Sequence, residues 1–499
     1  MVMSESQTPQ DDGTFYKPGQ HPSLPPPPGT VGVIGWLREN LFSGPFNSLA
    51  TIIVLGIVYM AVVPALNWMV FDSVTTGTDR RFCDLGRSAS LIGQNASEFN
   101  ANDFQLDPKA AGLSEADAAK QTLLKQKSTS SVTNVIGLIG AFNGHYEKIA
   151  ADNAVPAGLI PIVDQVQPLA LRGNLEAALK AGDVAGIETN LAALQPLASW
   201  GNGWDGACWV VIKQRYMTFL VGFYDRDQVW RPALAFVLLL VAIAPLLFDG
   251  IPLRRQLLWF SLIFPVIAYF LLVGNDNIPG LPLQETDTWG GLLATMVTGV
   301  VGISASLPIG IVLALGRRSK LPIVRALCVC FIEFIRGVPL ITILFMSSVM
   351  LPLFLPEGVT FDKLLRALIG VALFASAYMA EVVRGGLQAI PKGQYEAAEA
   401  MGLTYWKSMR LIILPQALKI VIPGIVNTFI GLFKDTTLLG IIGILDLLAV
   451  AKATNTDAGW IGFFNETYFA VGLGFFIFCF GMSRYSIYLE NKLHTGHKR

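Results

Sequence analysis

The chain has 499 residues, 53% of them hydrophobic and 14% charged, with a mean hydropathy of +0.52, too apolar for a water-soluble globule of this length. Its 36 Lys and Arg balance 36 Asp and Glu, so no electrostatic footprint points to nucleic acid or another polyanion. Five cysteines without a CxxC pair and four histidines leave too few soft ligands for a structural zinc or iron–sulfur site, and no metal is expected.

Residues 1–48 hold the tetraproline Pro25–Pro28 among small polar residues, which predicts a disordered tail. A helix crossing a hydrocarbon core of about 30 Å needs about 20 apolar residues. That ruler predicts an all-α integral membrane protein with eight spans: Leu49–Val70, Pro232–Phe248, Leu257–Val273, Leu292–Leu315, Phe331–Phe354, Leu364–Val383, Leu411–Phe433 and Thr467–Leu489. Leu438–Val450 contains Asp446 and is too short to cross, so it reads as a re-entrant or interfacial helix.

Arg254 and Arg255, Arg317, Arg318 and Lys320, Arg384, Lys392, Lys407 and Arg410, and Lys492, Lys498 and Arg499 fall on one side when the spans alternate. By the positive-inside rule that side is the cytoplasm, and both termini are expected there. The first span taken alone disagrees, since Arg80, Arg81 and Arg87 follow it outside; long exported loops contribute little to the rule, so the later spans decide.

The segment 72–231 is then extracytoplasmic and reads as helical. Ser114 with Asp117 resembles a capping box, and Asn174 and Asp183 are expected to cap two further helices. Val132–Phe142 is too short to cross, and Ala154–Leu171 is interrupted by Pro156, Pro161 and Pro168. Cys83 and Cys208 bracket the insertion in a compartment where disulfides persist in bacteria; a bridge between them is expected over the alternative of two unpaired thiols. Cys328, Cys330 and Cys479 lie in or beside apolar runs and read as small hydrophobes.

Between the sixth and seventh spans, Pro391 can start a helix, Glu396–Met401 are strong helix formers, and Gly402 suits the left-handed residue that ends one. Thr404 can cap the next helix. Ala397, Ala398 and Ala400 leave a surface almost without side-chain bulk, which reads as a docking peg or as an ordinary alanine-rich connection. Three ionisable pairs lie in or at the ends of spans: Glu333 with Arg336, Glu381 with Arg384, and Lys434 with Asp435. Each reads first as a structural ion pair and second as part of a translocation path. Glu333 and Arg336, near the break at Gly337–Val338–Pro339, are the expected contact for a zwitterion if one pair makes it.

Glu396-Ala397-Ala398, three residues, Gly402, nine residues, then Ile412-x-Leu414-Pro415 resembles the signature of permease subunits of bacterial ABC importers. Phe334–Leu340, Ala380–Gly386 and Phe433–Leu438 are similar to the polar amino acid branch. The resemblance covers a five-span core at about 288–490 and extends through spans one to three (49–71 and 232–273) toward the permeases of general L-amino acid uptake systems. It departs at 84–206, which is longer than that pattern leads one to expect. It implies that Glu396, Ala397, Ala398 and Gly402 form a coupling helix lodged in a cytoplasmic ATPase dimer. It also implies a second permease, identical or homologous, and a periplasmic amino-acid-binding protein, all at the bacterial inner membrane. No GxxxxGK[ST] loop occurs in the chain, so no cofactor is expected here and ATP is assigned to the partner. The alternative is a secondary amino acid transporter powered by an ion gradient. An enzyme is not expected, because no HExxH or GxSxG occurs and no histidine lies in a span.

Overall fold

In hydrocarbon a backbone has no partner but itself, and the computed structural model is accordingly built from helices, with only two-residue strands beside them among the described residues. It describes residues 36–493 apart from 39, 76, 78, 110–113, 153, 157, 203, 205, 249 and 357–360, together with 8–9 and 15–16. Thr8–Pro9 (β1) and Phe15–Tyr16 (β2) pair antiparallel. The rest of the tail expected at 1–48, up to residue 35, lies outside the described residues, as does most of the closing tail at 491–499.

The chain divides into two units, 1–73 and 74–499. In the first, Pro45–Leu66 forms α1, with Pro45 in the first turn where a missing N–H costs nothing, and a π turn at Asn67–Phe71 continues it.

The second unit opens with the insertion: α2 (Arg81–Ser97), α3 (Glu115–Ala151), α4 (Pro168–Ala181), α5 (Val184–Ala193) and α6 (Gln195–Asn202). Leu85, Ala89 and Ile92 pack against Val132, Val135, Ile139 and Phe142, and Leu175, Ile187 and Leu197 close the same core. The apolar run at Val132–Phe142 is thus the buried face of α3. Ser114 accepts from the Asp117 N–H and caps α3, and Asp183 accepts from the Gly186 N–H and caps α5. Asn174 caps nothing: it lies inside α4, which starts six residues earlier because Pro168 fills its first position.

The insertion is fixed to the rest of its unit at its base. Cys83 and Cys208 form a disulfide with Cα atoms 5.9 Å apart, inside an apolar cluster with Val74, Val210, Val211, Trp460 and Phe463. The Cys208 N–H donates to Glu466 Oε1 at 3.0 Å, Arg80 and Arg87 lie 5.5 and 5.6 Å from the Phe463 ring centroid, and Arg215 pairs with Asp457. From this base α7 (Val210–Val221) runs to Gly222, whose positive φ of 69° lets its backbone bridge to Trp289.

α8 (Trp230–Leu247) and α9 (Arg254–Val273) form a hairpin, followed by α10 (Gly291–Arg317), α11 (Pro322–Gly337), α12 (Leu340–Phe345) and α13 (Lys363–Ala389). α14 (Lys392–Ala400), α15 (Leu414–Ile420), α16 (Ile422–Asp435), the short strand β3 (Leu445–Asp446), α17 (Leu447–Thr456) and α18 (Phe464–Leu493) complete the unit. α10 meets α13 through small buried residues, Gly302 beside Val371 and Gly310 beside Met379 and Ala380, the close packing that membrane helices favour.

Among the described residues, seven helical stretches are long and apolar enough to cross a bilayer, and eight if a bent pair counts as one. Three expected elements differ in detail. The fifth span is no continuous helix at Phe331–Phe354: Pro322–Gly337 and Leu340–Phe354 meet at 108°, because Pro339 has no N–H to give and holds Val338 in extended backbone. The seventh, expected at Leu411–Phe433, is interrupted at Val421, and the stretch long enough to cross is Ile422–Ile442. The re-entrant helix expected over Leu438–Val450 is split by left-handed Gly443 into a 3-10 turn, β3 and α17.

Candidate functional site

The short helix α14 is closed as its composition dictates. Pro391 stands at its N-cap in extended backbone, and Gly402 follows it at φ +72°. The Gly402 N–H donates to the Glu399 carbonyl at 2.9 Å and the Leu403 N–H to that of Ala398 at 3.1 Å, the paired bonds of a Schellman turn. A Cβ on Gly402 would meet nothing within 4 Å, so the left-handed backbone alone favours glycine there. Thr404 occupies the next N-cap position, but its hydroxyl makes no capping bond.

The alanines divide between two faces. Ala397 and Ala400 are exposed with Glu396, whereas Ala398 is 1% exposed and packs into the bundle. Ala398 therefore seats the helix and leaves the outward surface to its neighbours. Met401, Tyr405 and Trp406 extend that surface with exposed apolar area. Beyond it a π turn at Met409–Ile413 leads into α15, with Pro415 in the first turn; a proline there cannot donate to a carbonyl one turn back, and the backbone widens before it. Ile412 and Leu414 are half-buried against the cluster of Ile332, Met379 and Val383, and Pro415 is exposed.

Beside α14 lies a node of five charged side chains. Glu333 and Arg336 do not pair with each other as their spacing leads one to expect. Arg317 Nη1, at the end of α10, stands 2.8 Å from Glu333 Oε1 and 2.8 Å from Glu381 Oε1. Arg384 Nη2 reaches Glu381 Oε2 at 2.7 Å, and Arg336 Nη1 is 3.5 Å from the same oxygen. The local helical spacing gave Glu333 and Arg336 one face, but a partner on a neighbouring helix satisfies each charge better. The expected pair Glu381 and Arg384 is formed, inside this larger set. Lys434 is exposed and Asp435 half-buried at the end of α16; among the described residues no salt bridge joins them.

Two buried polar centres escaped the reading of the sequence. Arg231 is fully buried, and its Nε and Nη1 donate to the carbonyls of Leu271 at 2.6 Å and Pro282 at 2.8 Å. Tyr224 Oη donates to the Leu272 carbonyl at 2.9 Å. Burial pushes that phenol up to about 12, so it remains a donor at any physiological pH. Together they occupy the C-terminal end of α9, where orphan carbonyls and the helix dipole attract donors and cations. At the other centre, Thr295 Oγ1 accepts from the Leu447 N–H at 3.1 Å, and Asp446 accepts from those of Leu448 and Ala449.

Residues 306–494 match the family described as binding-protein-dependent transport system inner membrane component. The chain is 56% identical over 292 residues to the inner membrane amino-acid ABC transporter permease protein YhdY of Escherichia coli K12, covering 58% of this chain and 79% of that one. It belongs to the amino-acid ABC transporter permeases. A second such permease, the glutamate/glutamine/aspartate/asparagine transport system protein BztC of Rhodobacter capsulatus, is 45% identical over 356 residues, covering 60% of this chain and 82% of its own. The crystal structure of an amino acid ABC transporter with histidines aligns at 28% identity and a TM-score of 0.36, covering 40% of this chain and 90% of that one.

An amino-acid ABC permease is a multi-pass inner-membrane protein whose transport is driven by a partner ATPase. The ion-gradient alternative gains no support from these relatives.

Proposed function

We propose that this permease is one of two transmembrane subunits, identical or homologous, of an L-amino acid importer, and that α14 is its grip on a cytoplasmic ATPase dimer. A periplasmic binding protein delivers the amino acid from outside, and both termini lie in the cytoplasm. The chain carries out no catalytic step and binds no cofactor; ATP sits in the partner. The observation that carries the reading is α14: a helix of nine residues closed at both ends, seated through Ala398 and presenting Ala397, Ala400 and Met401 outward beside Glu396. ATPase closure would displace α14 and bias the spans between two arrangements by differential contacts. The relative named for glutamate, glutamine, aspartate and asparagine makes those four the first cargoes to assay.

The test is purification of the tagged chain in mild detergent after co-expression with its neighbouring transport subunits. A Walker-motif ATPase is expected to co-purify, and Gly402→Asp is expected to insert normally while losing both the ATPase and uptake. Normal uptake by that variant at normal abundance, or uptake in vesicles that runs on a proton gradient without ATP, would overturn the reading.

A further inference from the structure

The backbone joins α14 directly to α13 on one side and to the 401–413 segment on the other, so a displacement of α14 reaches those elements through covalent bonds. It reaches α10 only through side chains. Tyr395, on α14, donates its hydroxyl to the Leu387 carbonyl of α13 at 3.0 Å. Arg318, the residue that closes α10, donates from Nη1 to that same hydroxyl at 3.0 Å and to the same carbonyl at 3.2 Å. Its guanidinium carbon lies 5.4 Å from the Tyr395 ring centroid. Three elements thus meet in one closed triangle of hydrogen bonds, and the residue before Arg318 is Arg317, the hub that holds Glu333 and Glu381.

We propose that Tyr395 is the positioning residue that transmits movement of α14 to α10, through Arg318, and onward through Arg317 to α11. The inference rests on the docking role given to α14 above. A second polar tie of α14 among the described residues, Gln416 Nε2 to Gln394 Oε1 at 3.2 Å, leads to α15, which the chain already reaches by its own backbone. Ala398 packs inward, but a methyl group transmits only push. A bonded phenol held by donor and acceptor at once also transmits pull, and it fixes the azimuth of the helix about its own axis.

The sharp probe is Tyr395→Phe, which keeps the ring over Arg318 and removes only the hydroxyl. In the complete complex, reconstituted in proteoliposomes with its ATPase and binding protein, amino acid uptake and ATP hydrolysis are measured on the same preparation. Uptake per ATP hydrolysed is expected to fall about threefold or more, the scale of one net hydrogen bond, with the ATPase bound at wild-type stoichiometry. Arg318→Met is expected to do the same, and the double variant to be no worse than either single, as for two ends of one contact. An unchanged ratio in Tyr395→Phe, a loss explained entirely by lower abundance, or losses that add in the double variant would each overturn the inference. If the wild-type complex retains no ATPase, the docking role itself falls and takes this inference with it; an unchanged ratio with the ATPase bound removes the inference alone.

Discussion

Arg317 Nη1 lies at 2.8 Å from both Glu333 Oε1 and Glu381 Oε1, so one guanidinium nitrogen ties α10 to α11 and α13 together. The two carboxylates are not equivalent. Glu381 is 15% exposed and receives three arginines, while Glu333 is 54% exposed and receives one. Removing the charge of Glu381 leaves three crowded cations with only the exposed carboxylate of Glu333, on Arg317, to offset them, whereas the charge of Glu333 is replaced largely by water. Glu381→Gln is expected to cost about 1–3 kcal/mol, the buried-pair value discounted for the partial exposure of its partners, and Glu333→Gln under about 1 kcal/mol. Thermal unfolding of the purified protein in detergent, read as a drop of several degrees for the first variant and little for the second, checks the ranking; equal shifts would contradict it.

Arg231 has a different task. Its guanidinium is buried at the end of α9 and holds the Leu271 and Pro282 carbonyls, which fastens the loop after α9 back onto the start of α8. Arg231→Met fills the volume but strands those two acceptors, at about 1–3 kcal/mol each by the cost of unsatisfied buried groups. Arg231→Lys keeps the charge and one donor direction, so it should fall between. The measurement is proteolysis of the 274–289 loop in the purified protein in detergent, where faster cleavage is expected in the order wild type, Lys, Met. Indistinguishable rates would show that the loop is held by other contacts.

How far the sequence alone reached depended on whether a signal was local. Apolar runs marked most of the spans within a few residues, though not the broken fifth or the shifted seventh, and Pro391, the alanines and Gly402 outlined α14, because length, periodicity and turn chemistry are properties of neighbouring residues. Asp183 and Ser114 were legible as caps for the same reason, whereas Asn174 misled because Pro168 competes for the helix start. Pairings across the fold were not legible. Nothing near Glu333 in the chain names Arg317 as its partner, and Glu466 gives no sign that it will accept the Cys208 N–H, 258 positions away. Arg231 stands beside an apolar stretch, and its role depends on carbonyls at and beyond the end of another helix, which nothing near it in the chain names. The two faces of α14, which separate Ala398 from Ala397, emerge only when the bundle beneath is in place.

The disulfide gives a test of how the insertion is held. Cys83 and Cys208 are separated by 125 residues, and a cross-link over a loop of that size removes about 4–5 kcal/mol of unfolded-state freedom in the chain-entropy account. The insertion also has its own core, in which Leu85, Ile139, Leu175 and Leu197 are fully buried. We therefore expect Cys83→Ser/Cys208→Ser to fold but to melt the insertion many degrees lower, while the spans unfold where they did before. Calorimetry with and without reductant would show one transition moving and the other fixed. Identical traces for the reduced and oxidised wild-type protein would mean that the base cluster around Phe463 holds the insertion without the bridge.

The start of α17 offers a test at one hydroxyl. A helix leaves its first N–H groups without intrahelical partners; here Leu448 and Ala449 give theirs to the Asp446 carboxylate, and Leu447 gives its own to Thr295 Oγ1. Thr295 is fully buried, and its hydroxyl in turn donates to the Gly291 carbonyl at 3.1 Å, so donor and acceptor capacity are both used. Thr295→Val preserves shape and deletes the oxygen, leaving the Leu447 N–H orphaned at a cost of about 1–3 kcal/mol, while Thr295→Ser keeps the bond and loses only a methyl group, at about 1 kcal/mol. Hydrogen exchange of the 447–449 amides resolves the two: Val should speed exchange at Leu447 by tenfold or more, which is about 1.4 kcal/mol of local opening, and Ser should leave it near wild type. Equal protection in both variants would mean that α17 is held in place by its packing against α18 and that the hydroxyl contributes nothing to its register.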